Sequence, residues 1–338
     1  MTRTRIRAGA RTRTHSPILL LLSLPLLIAL FGLVGCGGRT APDGAAADPP
    51  DGGRLSVCAS FYPMYDFAQK IGGQHATVTN IVPPGMEPHD WEPSVTDIAR
   101  LEGADILILN GLGIEHWAKT VLQSLENKNL IVVTTSDALT PRESATDGQS
   151  GGAAAINGDG GDEDGEGDPH VWLDPMNAKA QMSAIKDAFA RADPAHQNDY
   201  EANFTEYADK LDALDREFRH ALADAKSRDI IVAHQSFGYL CTAYGLTQTA
   251  IEGLSPDSEP SPRRMAEIID FAKTRGVRVI FFEELVDPKV ARAIADAAGV
   301  GTLALNPLES LGETELAAGE DYFSIMRKNL SALVAALC

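Results

Sequence analysis

The chain has 338 residues, 44% of them apolar and 22% charged. That composition excludes a disordered or collagen-like chain and, at ~150 residues per domain, points to about two domains. Lys and Arg number 29 against 47 Asp and Glu, a net charge of −18, so a nucleic-acid partner, which needs clustered positive charge, is excluded at the outset.

The first 35 residues carry Arg3, Arg5, Arg7, Arg11 and Arg13 with no acid, then an apolar run from Ile18 to Val34 interrupted by Pro25. At 17 residues the run is short for a membrane span, and it ends in Leu33-Val34-Gly35-Cys36, small residues followed directly by a cysteine. Residues 1–35 read as a signal peptide of the bacterial lipoprotein kind, with Cys36 left as the lipidated N-terminus of a protein held outside the cytoplasmic membrane. Loss of five arginines takes the balance to 24 − 47 = −23. Three cysteines then remain. Cys58 in LSVCAS and Cys241 in FGYLCTAYG read as small buried hydrophobes, nothing supports pairing Cys241 with Cys338, and no CxxC spacing marks a thiolate metal or redox site.

Residues 36–53 are mostly Gly, Ala, Pro and Asp without a large apolar side chain and read as a flexible spacer. From Arg54, apolar runs at Leu55–Ala59, Val78–Val82, Ile106–Leu109 and Leu130–Val133 alternate with helical patterns such as Ser94–Glu102 and Glu115–Leu125. This predicts a first α/β lobe over 54–193. An acidic stretch, 143–168, interrupts it with eight acids and no Lys or Arg. It reads either as a solvated insertion or as a weak gatherer of cations.

Tyr200, Phe204, Tyr207, Leu211, Leu214, Phe218 and Leu222 recur at steps of three and four, which predicts one amphipathic helix over 194–223, about 45 Å long at 1.5 Å per residue. Without Gly or Pro inside it, such a helix has no cheap hinge, so motion between the lobes it joins should be small. A second α/β lobe follows over 224–338, with apolar runs at Ile230–Ala233, Val277–Phe282 and Thr302–Leu305 and helices at Pro262–Thr274 and Pro288–Ala298. The predicted fold is therefore α/β: two parallel-sheet lobes joined by one long rigid helix, with a site in the cleft between them.

Three histidines have settings that suggest that site. His89 lies in the Pro- and Gly-rich GMEPHDWEPS, His170 in GDPHVWLDP, and His234 directly after the apolar run in IVAHQSFGY. Ligands of parallel sheets bind beyond the carboxyl ends of the strands, and three imidazoles suit zinc while leaving a fourth position open. Asp168 and Asp174 either orient a ring or cap a turn, and Trp91 and Trp172 either wall the site or pack the core. His15, His75, His116, His196 and His220 lack such settings.

The strings GMEPHDWEPSVTDIARLEGADILILNGLGIEHW, DPHVWLDPMNA, VAHQSFGYLCTAYGL, IEGLSPDSEPSPRRM and FFEELVDPKVA resemble, in order and spacing, the zinc/manganese substrate-binding proteins of bacterial ABC importers, over about Leu55 to Leu337. The resemblance implies a metal held between two lobes, a membrane ABC permease with its ATPase as partners, a monomer, and His89, His170 and His234 as ligands. Zinc-type members keep His at the third position and manganese-type members often use a carboxylate, so His234 implies Zn2+ over Mn2+. Where many relatives place an aspartate this chain has Asn306, and its acidic loop has no histidine. Water, Asn306 and Glu283 are the candidates for the fourth ligand.

The expected function is capture of Zn2+ outside the membrane and its delivery to an importer, without catalysis. Binding should weaken below about pH 6, as protons compete for imidazoles of pKa ~6.5. The alternatives are a manganese- or iron-binding homologue of the same importer type, a zinc-dependent hydrolase, or a surface adhesin. No HExxH or GxSxG supports the hydrolase, and Glu283 is the one evident general base.

Overall fold

Short apolar runs alternating with segments of 3.6-residue periodicity fold into parallel strands crossed over by helices. The computed structural model describes residues 53–139, 167–256 and 259–338. The signal peptide, Cys36, the spacer up to residue 52 and loop residues 140–166 lie outside the described residues. Among the described residues no helix is long and apolar enough to cross a membrane.

Two four-stranded sheets, each wholly parallel, organise the rest. In chain order the first lobe contains β1 (Leu55–Ala59), α1 (Tyr62–Gly72), β2 (Ala76–Asn80), α2 (Val95–Glu102), β3 (Ile106–Leu109), α3 (Ala118–Ser124), β4 (Ile131–Thr134) and α4 (Pro175–Ala192). Then come α5 (Gln197–Ala221), β5 (Asp229–Val232), α6 (Gly238–Tyr244), β6 (Thr247–Ala250), α7 (Pro262–Arg275), β7 (Val279–Phe282), α8 (Lys289–Ala298), β8 (Gly301–Ala304), α9 (Glu313–Ala317) and α10 (Tyr322–Leu337). The strand orders, β2-β1-β3-β4 and β6-β5-β7-β8, are the same pattern twice. In register, Val57 lies opposite Ile106 and Ile231 opposite Ile280. Connections diverge to opposite sides at β1/β3 and at β5/β7, which makes these the two topological switch points, where open α/β sheets hold ligands.

Local signals account for the element ends. Ser94 and Asp97 form a reciprocal capping box at the start of α2. Ser261 caps α7, whose first residue is Pro262 and whose end is the left-handed Gly276. The strands β1 and β3 match the sequence expectation residue for residue. β6, Thr-Gln-Thr-Ala at a sheet edge, has too little apolar character to be read as a strand.

The predicted connecting helix begins with a 3-10 turn, Pro194–His196, and continues as the 25-residue α5, about 38 Å at 1.5 Å per residue. Near its start Tyr200 packs edge-on against Phe189 of α4, ring centroids 5.3 Å apart. Near its end Phe218 stacks on Tyr244 of α6 at 4.9 Å. A second helix also spans the lobes. The N-terminal end of α10 meets α1 through Tyr322 on Phe67 (5.1 Å) and through the capping Asp321 on Lys70 (3.1 Å). At the other end of α10, the Leu337 carbonyl accepts from Lys226 N at 2.8 Å. The main core runs continuously from Val57 to Leu337, with a smaller cluster around Ile231, Ile268, Ile280 and Ile294 beneath α7 and α8. Cys58 and Cys241 are buried in it, and none of the three described cysteines is in a disulfide. Burial pushes the Cys58 thiol up to about 11, so it is inert as a nucleophile.

Candidate metal centre

The segments that follow the strands carry the polar side chains. His89 follows β2 in a stretch where Pro83, Pro84, Pro88 and Pro93 prevent the strand from continuing. Within it Gly85, at φ 76°, donates its N–H to Ser310 Oγ (2.8 Å) and to the Leu311 carbonyl (3.0 Å). His170 precedes a 3-10 turn and α4, which is capped by Asp174 through Met176 N at 2.9 Å. His234 comes two residues after β5, with its backbone N–H on Glu283 Oε1 at 3.3 Å. After β8, Asn306 Oδ1 accepts from Leu308 N at 2.7 Å, an Asx-type turn that holds Leu308 at φ 63° and turns Glu309 inward.

These segments meet at the seam, two donors from each lobe. Glu309 Oε1 lies 2.9 Å from His170 Nε2, 3.2 Å from His234 Nε2 and 3.3 Å from His89 Nε2. His234 Nε2 and His170 Nε2 are themselves 3.3 Å apart, and one donor atom from each of the four residues lies within 4.8 Å of the others. Donors held at about 2.0–2.1 Å around a tetrahedral ion are separated by about 3.3 Å, so this is the spacing of a three-histidine, one-carboxylate metal site.

The rings are held from behind. Asp168 Oδ1 takes His170 Nδ1 at 2.8 Å and Glu283 Oε1 takes His234 Nδ1 at 2.6 Å. A carboxylate at Nδ1 holds that nitrogen as the N–H donor, which in a neutral ring leaves the Nε2 lone pair directed inward. Trp172, fully buried, packs on Phe61 (5.0 Å) and donates Nε1–H to the Pro307 carbonyl at 2.8 Å. It thereby ties the His170 segment to the Glu309 segment. Trp91 packs edge-on to Trp117 at 5.7 Å.

His170 and His234 are fully buried and Glu309 is 2% exposed. Burial alone would depress both imidazoles. For His170, hydrogen bonds to Asp168 and Glu309 outweigh burial and raise it. For His234, the charges of Glu283 and Glu309 raise it well above its ordinary value. Burial would raise Glu309, but the charge of His234 and hydrogen bonds from all three rings hold it well below the carboxylate range. Four inward-facing donors therefore carry strong electrostatic demand for positive charge, from protons or from a metal ion. Burial, followed by the Glu309 charge, pushes the Glu87 carboxyl at the rim up to about 9.

The structure brings His89, His170 and His234 together and differs from the sequence expectation at the fourth position. Glu283 stands behind His234 on the Nδ1 side, and Asn306 spends its carbonyl oxygen on its own turn while its Nδ2 faces Glu284 Oε2 at 3.4 Å. Glu309, three residues beyond Asn306, takes the place expected of either. The signal for it was an acid inside a strand-end loop that begins with a turn-forming asparagine. Of the two aspartates near His170, Asp168 orients the ring and Asp174 caps a helix. His116 pairs with Glu92 at 3.0 Å, away from the cluster.

Two parallel-sheet lobes of the same strand order, spanned by a long helix and sharing a cluster of three histidines and one glutamate at their seam, define a two-lobed α/β binding protein. The family model for zinc-uptake complex component A, periplasmic, matches residues 57–336, and the chain belongs to that family. It is 35% identical over 308 residues to the high-affinity zinc uptake system protein ZnuA of Bacillus subtilis, covering 91% of this chain and 95% of that protein. It is 37% identical over 316 residues to the zinc-binding lipoprotein AdcA of Streptococcus pneumoniae, covering 92% of this chain but only 60% of that longer protein. The crystal structure of the Zn(II)-bound ZnuA-like domain of S. pneumoniae AdcA superposes with a TM-score of 0.71 at 34% identity, over 84% of this chain and 99% of that one.

Proposed function

We propose that the protein captures Zn2+ outside the cytoplasmic membrane through His89, His170, His234 and Glu309 and delivers it to an ABC permease driven by its ATPase. The observation that carries this reading is the convergence of three Nε2 atoms on one buried carboxylate oxygen at 2.9–3.3 Å. Imidazole nitrogens favour zinc over manganese, whose preference is for carboxylates and water. Four protein donors also leave no open coordination position for an activated water, which favours holding and release over hydrolysis. The family membership and the zinc-binding relatives support the same reading.

In this reading the protein acts as a monomer. A lipid on Cys36 and the spacer up to residue 53 tether it to the membrane surface, and the acidic stretch 143–168 is either a gatherer of cations or a solvated insertion. Titration of the purified protein with Zn2+ against a competing chelator, and with Mn2+ in parallel, tests it. One Zn2+ per chain, bound more tightly than Mn2+ and lost in His234→Ala, is the expected result. Tighter binding of Mn2+, or unchanged Zn2+ affinity in His234→Ala, would overturn it.

A further inference from the structure

The string NGLGIE after β3 has no part in the cluster, yet it folds into an unusual turn with a left-handed leucine. Gly111, Leu112 and Gly113 all lie at positive φ (92°, 57° and 88°), a region that L side chains rarely adopt. A Cβ on Gly111 would come within 2.5 Å of Ser136 Oγ and Thr134 Cγ2, so the turn is pressed against the end of β4 and the segment that follows it. It is pinned from inside by Glu115, whose buried carboxylate accepts from Ser60 Oγ (2.6 Å), Asn110 N (2.7 Å) and Gly111 N (2.9 Å). Ser60 follows β1 and Asn110 follows β3. The carboxylate therefore fills the first lobe's switch point, the counterpart of the place where His234 and Glu283 meet in the second.

Asn110, fully buried, faces outward from this fixed turn. Its Oδ1 accepts from Gln181 Nε2 at 2.9 Å, and its Nδ2 donates to the Pro169 carbonyl at 2.9 Å as well as to Gly111 O at 3.0 Å. Pro169 immediately precedes His170. The same short segment is held from the second lobe by Tyr239, whose hydroxyl donates to the Asp168 carbonyl at 3.2 Å. A hydrogen bond made from a turn that cannot relax fixes its partner's position more tightly than one made from a mobile loop.

We propose that Asn110 is a positioning residue for metal capture: through the Pro169 carbonyl it sets where the His170 ring presents Nε2, and the closely packed Gly111–Gly113 turn with Glu115 beneath it holds Asn110 still. This rests on His170 being a metal ligand. It accounts for a left-handed leucine and a buried acid that are not members of the metal cluster.

The test compares Asn110→Leu and Asn110→Ala, which remove the donor to Pro169, with Gln181→Leu, which removes the bonds from Gln181 Nε2 to Asn110 Oδ1 and Thr135 Oγ1 but leaves that donor in place. Zn2+ affinity by chelator competition and the visible absorption of the Co2+-loaded protein are read beside the melting temperature of the metal-free protein. Both Asn110 variants should bind Zn2+ about tenfold or more weakly, the loss typical of removing support behind a ligand, and shift the Co2+ bands. Gln181→Leu should keep affinity within about twofold, whatever its melting temperature. Unchanged affinity and Co2+ spectrum in whichever Asn110 variant folds, or an equal loss in Gln181→Leu, would overturn the inference. Failure of the wild-type protein to bind Zn2+ would instead overturn the functional reading beneath it.

Discussion

Replacing Glu283 with Gln separates metal affinity from proton competition. The Glu283 carboxylate takes His234 Nδ1 at 2.6 Å and, with Glu309, raises that imidazole. In Glu283→Gln the amide oxygen still accepts from Nδ1 but the charge is gone, so the ring becomes a poorer donor. Loss of an orienting partner of this kind costs about 10- to 100-fold in metal affinity, equivalent to about 1.4–2.7 kcal/mol. The same change lowers the proton affinity of His234, because its nearest raising charge has been removed. Wild-type protein must shed that proton to bind metal, and it does so less readily as pH falls, whereas the variant sheds it more easily. The wild-type advantage should therefore shrink as pH falls from 8.5 toward 6. Chelator-competition titrations at those two pH values measure both quantities. A deficit that stays constant or grows on acidification would refute the assigned role of Glu283, as would no deficit at all.

Metal-free protein should melt at a lower temperature as pH rises from 6 to 9. Groups whose pKa is raised by folding, here His170, His234 and Glu87, contribute stability that is present at low pH and lost as pH climbs through their folded values. Saturating Zn2+ at about 1,000 times its dissociation constant adds about 4 kcal/mol, or roughly 8 °C at the lower end of the usual scaling. At one fixed free Zn2+ concentration that increment should widen with pH in calorimetric scans, because fewer protons compete for the site. Trp172→Ala should cost about 3–5 kcal/mol in urea denaturation and weaken Zn2+ binding as well, because the indole joins the His170 segment to Pro307, two residues from Glu309. Cys36→Ser should move the protein from the detergent phase to the aqueous phase in Triton X-114 partition of expressing cells; retention in detergent would contradict lipidation at that residue.

What could be read from the sequence follows the physics of each element. β1 and β3 are apolar on both faces because helices cover both, so they read as continuous runs. α5 reads from its periodic stripe. His89 and His234 read from their positions in strand-end loops, where parallel sheets bind ligands, and His170 from its setting in GDPHVWLDP. Polar edge strand β6 lacks the burial that makes a strand recognisable. Glu309 escaped because its inward direction depends on the Asn306 turn and the left-handed Leu308, a conformation that no residue spacing encodes. The role of α10 as a second helix across the lobes depends on tertiary contacts, Tyr322 on Phe67 and Asp321 on Lys70, between residues more than 250 positions apart in the sequence. The expected onset of acid release also moves. With His170 and His234 raised above their ordinary values, protons begin to compete for the site at higher pH than unperturbed imidazoles would imply.

One zinc ion held among three imidazoles and one carboxylate underlies all of these expectations. X-ray absorption at the zinc edge on protein loaded with a single equivalent reads that shell directly. The expected spectrum has three nitrogen scatterers with imidazole multiple-scattering features and one oxygen, all at about 2.0–2.2 Å. A sulfur shell near 2.3 Å, or a shell with fewer than three imidazoles, would contradict it.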